Sequence, residues 1–231
     1  MDHSRTPGVA DHSRTSSALS LPADEMRPDG GFSELDPSLA EGGNIIFDRE
    51  ITLELRRHSS PQEPGMQENI LVRIVSIERE GRLHELRVEL SSDADLFFHF
   101  TSSMDLDSFD KIMRREQKLM CDFDEFPAVL EQTVAACIRD PTRLAVMFVT
   151  NDGRARMEFI QNMGYKYVEL MALPFIATHE DIVRKHISYR YNRMKAKVIL
   201  LNDHLHQIKA QVKLKNPSLY QNMEKRGAGR Q

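Results

Sequence analysis

Asn162-Met163-Gly164-Tyr165-Lys166-Tyr167-Val168-Glu169-Leu170-Met171-Ala172-Leu173 is the stretch on which the fold turns. It opens on a turn signal, Asn162 to Gly164, and sets an aromatic, Tyr165, at the tip of a predicted hairpin. From Val168 it alternates, with Val168, Leu170 and Ala172 on one face and Glu169, Met171 and Leu173 on the other. An aromatic at a turn has nothing on its own strand to bury it. It folds back onto its own core or enters another molecule, and these residues leave both routes open.

The neighbouring sequence extends the β pattern. Upstream, Leu144-Ala145-Val146-Met147-Phe148-Val149 is a nearly continuous apolar strand, and Asn151-Asp152-Gly153 is a strong hairpin turn returning through Ala155 to Ile160. Further back, Ile70 to Glu78 and Leu83 to Leu90 alternate around a tight Glu80-Gly81-Arg82 turn, with Leu86, Val88 and Leu90 inward. Ile45 and Phe47, then Ile51, Leu53 and Leu55, form two runs shifted at Asp48-Arg49-Glu50, which predicts one long or bent strand. Leu96 to Phe100 is a short aromatic strand after the Ser92-Asp93-Ala94-Asp95 turn. Between it and Leu144 lies a helical pair. Asp105 or Asp107 caps the first helix, whose apolar face is Leu106, Phe109, Ile112 and Met113. Pro127 sits in the first turn of the second, striped by Val129, Leu130, Val134 and Cys137, and Asp140-Pro141 ends it. About seven strands and a helical hairpin insertion predict an α+β, mainly β head: an antiparallel sandwich or half-open barrel.

Domain limits follow from composition. Residues 1–43 are polar, carry the repeated segments Asp2-His3-Ser4-Arg5-Thr6 and Asp11-His12-Ser13-Arg14-Thr15, and are expected to form a disordered tail. The head occupies 44–177, with Ser59 to Gly65 as a loop. A long helix fills 178–216, capped by Thr178, and 217–231 is a flexible tail. In the helix, Ile187, Tyr191, Met194, Val198, Leu201, Leu205, Ile208 and Val212 recur at alternating spacings of four and three. With Val198 at a, nearly four heptads read without a miss, which predicts a coiled coil. The bland alternative is an amphipathic helix lying along the head. The flanking positions carry Arg190, Lys195, Lys197 and Lys209 with no acidic answer. Residues 184–215 hold nine Lys or Arg against one acidic residue, Asp203, in a chain of formal net charge −4. A rod so basic faces either solvent or an acidic partner: nucleic acid, tubulin or another acidic cytoskeletal protein.

Chemistry is sparse. There is no GxGxxG, P-loop, GxSxG or HExxH, and the Asp122, Asp124, Glu125 cluster lacks the glycine of a calcium loop. His204 and His206 point to different faces of the helix. The nine histidines are scattered and are read as structural or surface groups, with no metal, cofactor or small-molecule substrate assigned and no enzymatic role. Cys121 and Cys137 fit reduced thiols of an intracellular chain. No apolar run approaches the roughly 18 residues of a membrane span.

Several segments resemble the spindle assembly abnormal protein 6 family. They are Leu83–Ser91 running into Ser92-Asp93-Ala94-Asp95-Leu96-Phe97-Phe98, then Ser108-Phe109 through Gln117 to Cys121-Asp122-Phe123-Asp124-Glu125-Phe126-Pro127, and lastly Phe159 to Leu173. The resemblance covers about residues 44–185, in order. It implies a barrel-like head with a helical hairpin, followed by a parallel coiled coil that pairs two chains. It also implies that heads of different pairs meet through a tip aromatic entering an apolar pocket, closing a ring. The tip position falls on Tyr165, within Met163, Gly164, Tyr165 and Lys166, where family members carry Pro-Phe in place of Gly-Tyr. The short helix fits a "6-like" branch of the family lacking the long rod. The expected role is self-assembly in a microtubule organelle (centriole or basal body, flagellar base or apical conoid) in the cytoplasm and cytoskeleton. The alternative is a DNA double-strand-break repair scaffold of the same architecture.

Overall fold

The structure, a computed structural model, describes residues 36–57, 65–218 and 221. The expectations for residues 1–35, for most of the Ser59–Gly65 loop and for most of 217–231 lie outside these residues. Seven strands are present: β1 (Gly43–Arg57), β2 (Met66–Arg79), β3 (Arg82–Ser91), β4 (His99–Met104), β5 (Arg143–Val149), β6 (Arg154–Asn162) and β7 (Tyr167–Ala177). Between β4 and β5 lie α1 (Leu106–Phe109), which runs on in π-helical turns through Asp110–Glu116, and α2 (Phe126–Arg139). The rod is α3 (Glu180–Lys215).

The strands form a closed barrel in the order β1-β2-β3-β4-β7-β6-β5. Every pairing is antiparallel except that of β1 with β5, which runs parallel from Leu53 opposite Ala145 to Arg57 opposite Val149. Seven strands make this unavoidable, since six antiparallel pairings around a closed circle leave the last pair parallel. The helical connection leads from β4 to β5, which runs opposite to β4 but lies beside β1 and β6.

Alternate residues fill the interior: Ile70, Val72 and Ile74 from β2, Leu86, Val88 and Leu90 from β3, Met157 and Phe159 from β6. Phe109, Met113, Phe123, Phe126, Leu130 and Val134 from the helical segment join the same core. The rings of Phe109 and Phe126 meet at 5.0 Å, tilted, which is favourable aromatic geometry. Leu106, expected on this face, is exposed.

Four local expectations are corrected. First, the alternation of β7 does not run unbroken. Its register against β6 slips between Phe159 and Ile160, leaving Leu170 as an extra residue. The bulge flips the phase, so Met171, Leu173 and Phe175 face the core while Glu169 points outward to Arg156 at 2.6 Å. Second, the irregularity in β1 falls at Ile46 rather than at Asp48–Glu50. Third, Leu96 to Phe98 precede the strand, which begins at His99. The Ser92 hydroxyl accepts the Ala94 and Asp95 N–H groups and holds this corner as a turn. Fourth, His179 and not Thr178 is the N-cap of α3, because the Thr178 hydroxyl is engaged by the His99 ring at 2.9 Å. Order also extends upstream of Asn44: Asp36 caps a short 3-10 turn, Pro37–Leu39, and is buried.

The barrel has one narrow seam. β4 and β7 pair only at Phe100–Ala177 and Thr101–Ile176. Farther along β7, the Gln117 amide donates to the Ala172 carbonyl and accepts the Ala172 N–H, both at 2.7 Å. One side chain thus does the work of a strand residue. Lys118 turns into the left-handed region at φ 61° directly after it, and the Leu119 N–H closes the helix end onto Met113 O. Gln117→Leu should leave both Ala172 groups unpaired, each costing about 1–3 kcal/mol if shut off from water. The expected result is a loss of about 2 kcal/mol in urea unfolding at unchanged m-value.

Candidate self-association surfaces

The hairpin tip joins β6 to β7. Asn162 Oδ1 accepts the Gly164 N–H at 2.8 Å, the Met163 N–H donates to Lys166 O at 2.9 Å, and the Asn162 N–H donates to Thr142 O at 2.8 Å. Gly164 has φ +84°, and Tyr165 is not in the left-handed region. A positive φ at the first central position alone is the requirement that glycine meets in hairpin turns. Gly164 is therefore set by this turn. Tyr165 is 80% exposed and Tyr167 67%. Tyr165 does not fold back onto its own core.

A groove of about 440 Å³ lies elsewhere on the head, between β1 and α2. Ile46, Ala128, Ala135 and Ile138 supply apolar walls, and Asp48 and Glu131 lie among its polar lining. The Ile46 bulge and two alanines leave the space a larger side chain would fill.

The heptad residues share one face of α3. Tyr191, Met194, Val198, Leu201, Leu205 and Ile208 are all exposed, and Ile187 is half-buried near the head. Val183, His186 and Tyr189 face the head instead and are buried. The rod thus uses a short separate stripe to dock and leaves the heptad stripe uncovered. Among the described residues, no helix is long and apolar enough to cross a membrane.

The joint between rod and barrel is polar. Arg190 donates to the carbonyls of Ser92 and Leu96 and pairs with Asp93 at 3.4 Å, gripping the turn before β4. On the outer face of β2, the Arg73 guanidinium pairs with Asp36 at 3.0 Å and Asp48 at 3.1 Å. Burial opposes its charge, but the two carboxylates outweigh it and raise its pKa. His99 and His186 stack at 4.4 Å. Burial, reinforced by the neighbouring His186, pushes His99 down to about 4. Burial likewise takes His186 to about 4, against the pull of Asp36.

With this geometry in view, the comparisons with known proteins converge. A family model for the centriolar protein SAS N-terminal domain matches residues 45–175, more than half of the chain. The chain belongs to this family. The spindle assembly abnormal protein 6 homolog of Gallus gallus is 20% identical over 170 residues, covering 70% of this chain and 26% of that protein. The chain therefore spans about a quarter of that relative's length. Solved SAS-6 structures share the fold. A Leishmania N-terminal fragment containing part of its coiled coil has a TM-score of 0.63 at 13% identity, covering 74% of this chain and 98% of that one. A Drosophila melanogaster fragment, dimerised via its coiled-coil domain, has a TM-score of 0.64 at 13% identity, covering 82% and 93%. An N-terminal coiled-coil dimer from C. elegans has a TM-score of 0.54 at 17% identity, covering 71% and 98%.

Within this SAS-6 head, the tip residues Met163, Gly164, Tyr165 and Lys166 stand together, and the heptad residues form one stripe. Sequence reasoning missed the polar joint. Its members lie on four separate elements, and only the period-two outward positions of β3 and β4 hinted at a shared face. Gly164→Ala adds a Cβ that meets no atom within 4 Å, so only the backbone resists it. It is expected to cost about 1–2 kcal/mol through the left-handed φ, or to reshape the tip, read as amide shift changes confined to residues 162–167.

Proposed function

We propose that this chain is a structural self-assembly protein of a microtubule-based organelle, working through two surfaces: the heptad stripe and the Tyr165 tip. The observation that carries this reading is an aromatic side chain 80% exposed on a backbone pinned by hydrogen bonds. A rigid turn spends little ordering entropy on presenting a large apolar ring, which is the property of an interface anchor. The stripe pairs two chains through their rods. The tip enters the β1–α2 groove of a neighbouring head, where Glu131 can meet Lys166 and the mixed polar lining, which includes Arg49, Gln132 and Arg139, offers the Tyr165 hydroxyl partners. A head contact and a rod contact on each chain give two interfaces per copy, which repeat into a ring or an open helix.

Membership of a centriolar family supports placement at a centriole or basal body, with the flagellar base and apical conoid as the other microtubule sites of the same kind. The partners of this reading are other copies of the chain. The basic rod adds tubulin or another acidic cytoskeletal protein. The reading gives the chain no catalytic role. The DNA-repair alternative draws only on that basic rod. Salt-dependent binding of duplex DNA and a nuclear tagged copy would favour it, whereas a tagged copy at the basal body favours assembly.

Leu201→Asp combined with Leu205→Asp is expected to turn dimers into monomers at low concentration in sedimentation equilibrium. An unchanged mass would remove the heptad stripe as an interface. On that background, Tyr165→Asp should abolish the remaining concentration-dependent association. Losing the large ring that anchors the contact is expected to weaken it on the order of 100-fold in Kd. Association that survives Tyr165→Asp unaltered sinks the tip contact alone.

A further inference from the structure

Glu89 on β3, His99 on β4 and His186 on α3 are all buried, and one ligand-type atom of each lies within 4.8 Å of the others. They meet at a cavity of about 20 Å³ lined also by Arg73, Ser91 and Arg190. That is room for a single water or ion. We propose that these three side chains bind a divalent transition-metal ion, Zn²⁺, that ties the rod to the barrel.

The donor set fits the ion. Two imidazoles and one carboxylate, with a solvent molecule in the fourth position, form a recurrent zinc environment. Ligands at about 2.0–2.1 Å around a tetrahedral ion stand roughly 3.3 Å apart, so small side-chain adjustments close the present spacing. His99 is already oriented. Its Nδ1 lies 2.9 Å from the Thr178 hydroxyl, which leaves Nε2 as the free nitrogen. A hydroxyl or carbonyl on the other ring nitrogen is the usual support for a metal-bound histidine. Among the described residues His186 stacks on His99 and has no hydrogen-bond partner.

Glu89 accepts one hydrogen bond, from the Ser38 hydroxyl at 2.6 Å, and forms no ion pair within 4.0 Å among the described residues. Arg73 and Arg87 attract it from farther away, and its carboxylate keeps an oxygen available as a ligand. Arg73 is matched by Asp36 and Asp48, and Arg190 by Asp93. Their Nε–H groups are both buried without an acceptor. A solvent molecule on the metal, placed in this cavity, provides one.

The test uses the full chain, stripped with EDTA and then titrated with Zn²⁺ alone. Elemental analysis after gel filtration should find one zinc per chain, and Tm should rise with zinc. Co²⁺ substitution should give the visible bands of a tetrahedral N/O site. His186→Gln and Glu89→Gln should lose both the stoichiometric metal and the Tm response. Thr178→Val keeps all three ligands and should weaken binding about 10–100-fold. If a ligand variant fails to fold, Thr178→Val and the cobalt spectrum decide. Wild-type chain without stoichiometric zinc means the cavity holds water only, and equal zinc in the ligand variants means other histidines bind it. Either result overturns the site.

Discussion

Closure of the barrel is the constraint on which the other features rest. Two seams achieve it and both are unusual. The parallel pairing of β1 with β5 spans Leu53 to Arg57, and the α1–α2 excursion carries the chain from β4 to that position beside β1. The β4–β7 seam has only two residue pairs, and Gln117 from the end of the first helix completes the hydrogen bonding of β7. The helical insertion is thus part of the barrel. It contributes Phe109, Phe126 and Leu130 to the core and closes the circle at both seams. A closed sheet has no edge strand to recruit a stray chain. The hairpin tip and the rod project from this closed surface.

Each projecting feature is rigid for a reason found in its own residues. The tip is short, and Gly164 supplies the one left-handed position while Asn162 ties it to the β6 end. The rod is gripped at its start by Arg190 on the Ser92–Leu96 turn, beside the buried Val183, His186 and Tyr189. Beyond that first part of the rod the heptad face is bare. Its flanks carry only basic charge, so pairing two rods gains apolar burial against modest repulsion, each exposed like-charged pair costing tenths of a kcal/mol. Such an interface is weak by construction and sensitive to salt and to an acidic neighbour.

Much of this was legible in the sequence, for identifiable physical reasons. Long alternations such as Ile70–Glu78 and Leu83–Leu90 report a half-buried strand directly. The heptad spacing from Ile187 to Val212 reports a continuous stripe on one face of a helix. Asp105 and Pro127 mark helix starts because their chemistry suits only those positions. What escaped was set by pairing between distant segments. The bulge at Leu170 is invisible in β7 alone, since it exists only relative to β6. Closure by β1 and β5 depends on where the helical connection sets β5 down. Thr178 reads as a helix cap until His99, which lies 79 residues away in the chain, takes its hydroxyl. His99 and His186 looked unrelated because β4 and α3 bring them together, beside Glu89 of β3, only after folding.

The polar joint raises the question of why the barrel meets its rod through arginines, histidines and carboxylates. An apolar patch of the same size would bind the rod at least as strongly, since buried ion pairs seldom outdo well-packed hydrocarbon. Hydrocarbon contacts, however, allow a helix to slide or rotate at little cost. The contacts here are directional. Arg190 requires two carbonyls at one turn and His186 must lie against His99. Together they admit one rotation and one height of α3 on the barrel. In the proposed assembly of head contacts and paired rods, the angle between rod and head determines the curvature. A few degrees of play per subunit would accumulate around a closed ring. Directional polar contacts at this joint therefore trade strength for geometry, and a metal ion bound by Glu89, His99 and His186 would tighten that geometry at the point where the rod leaves the head.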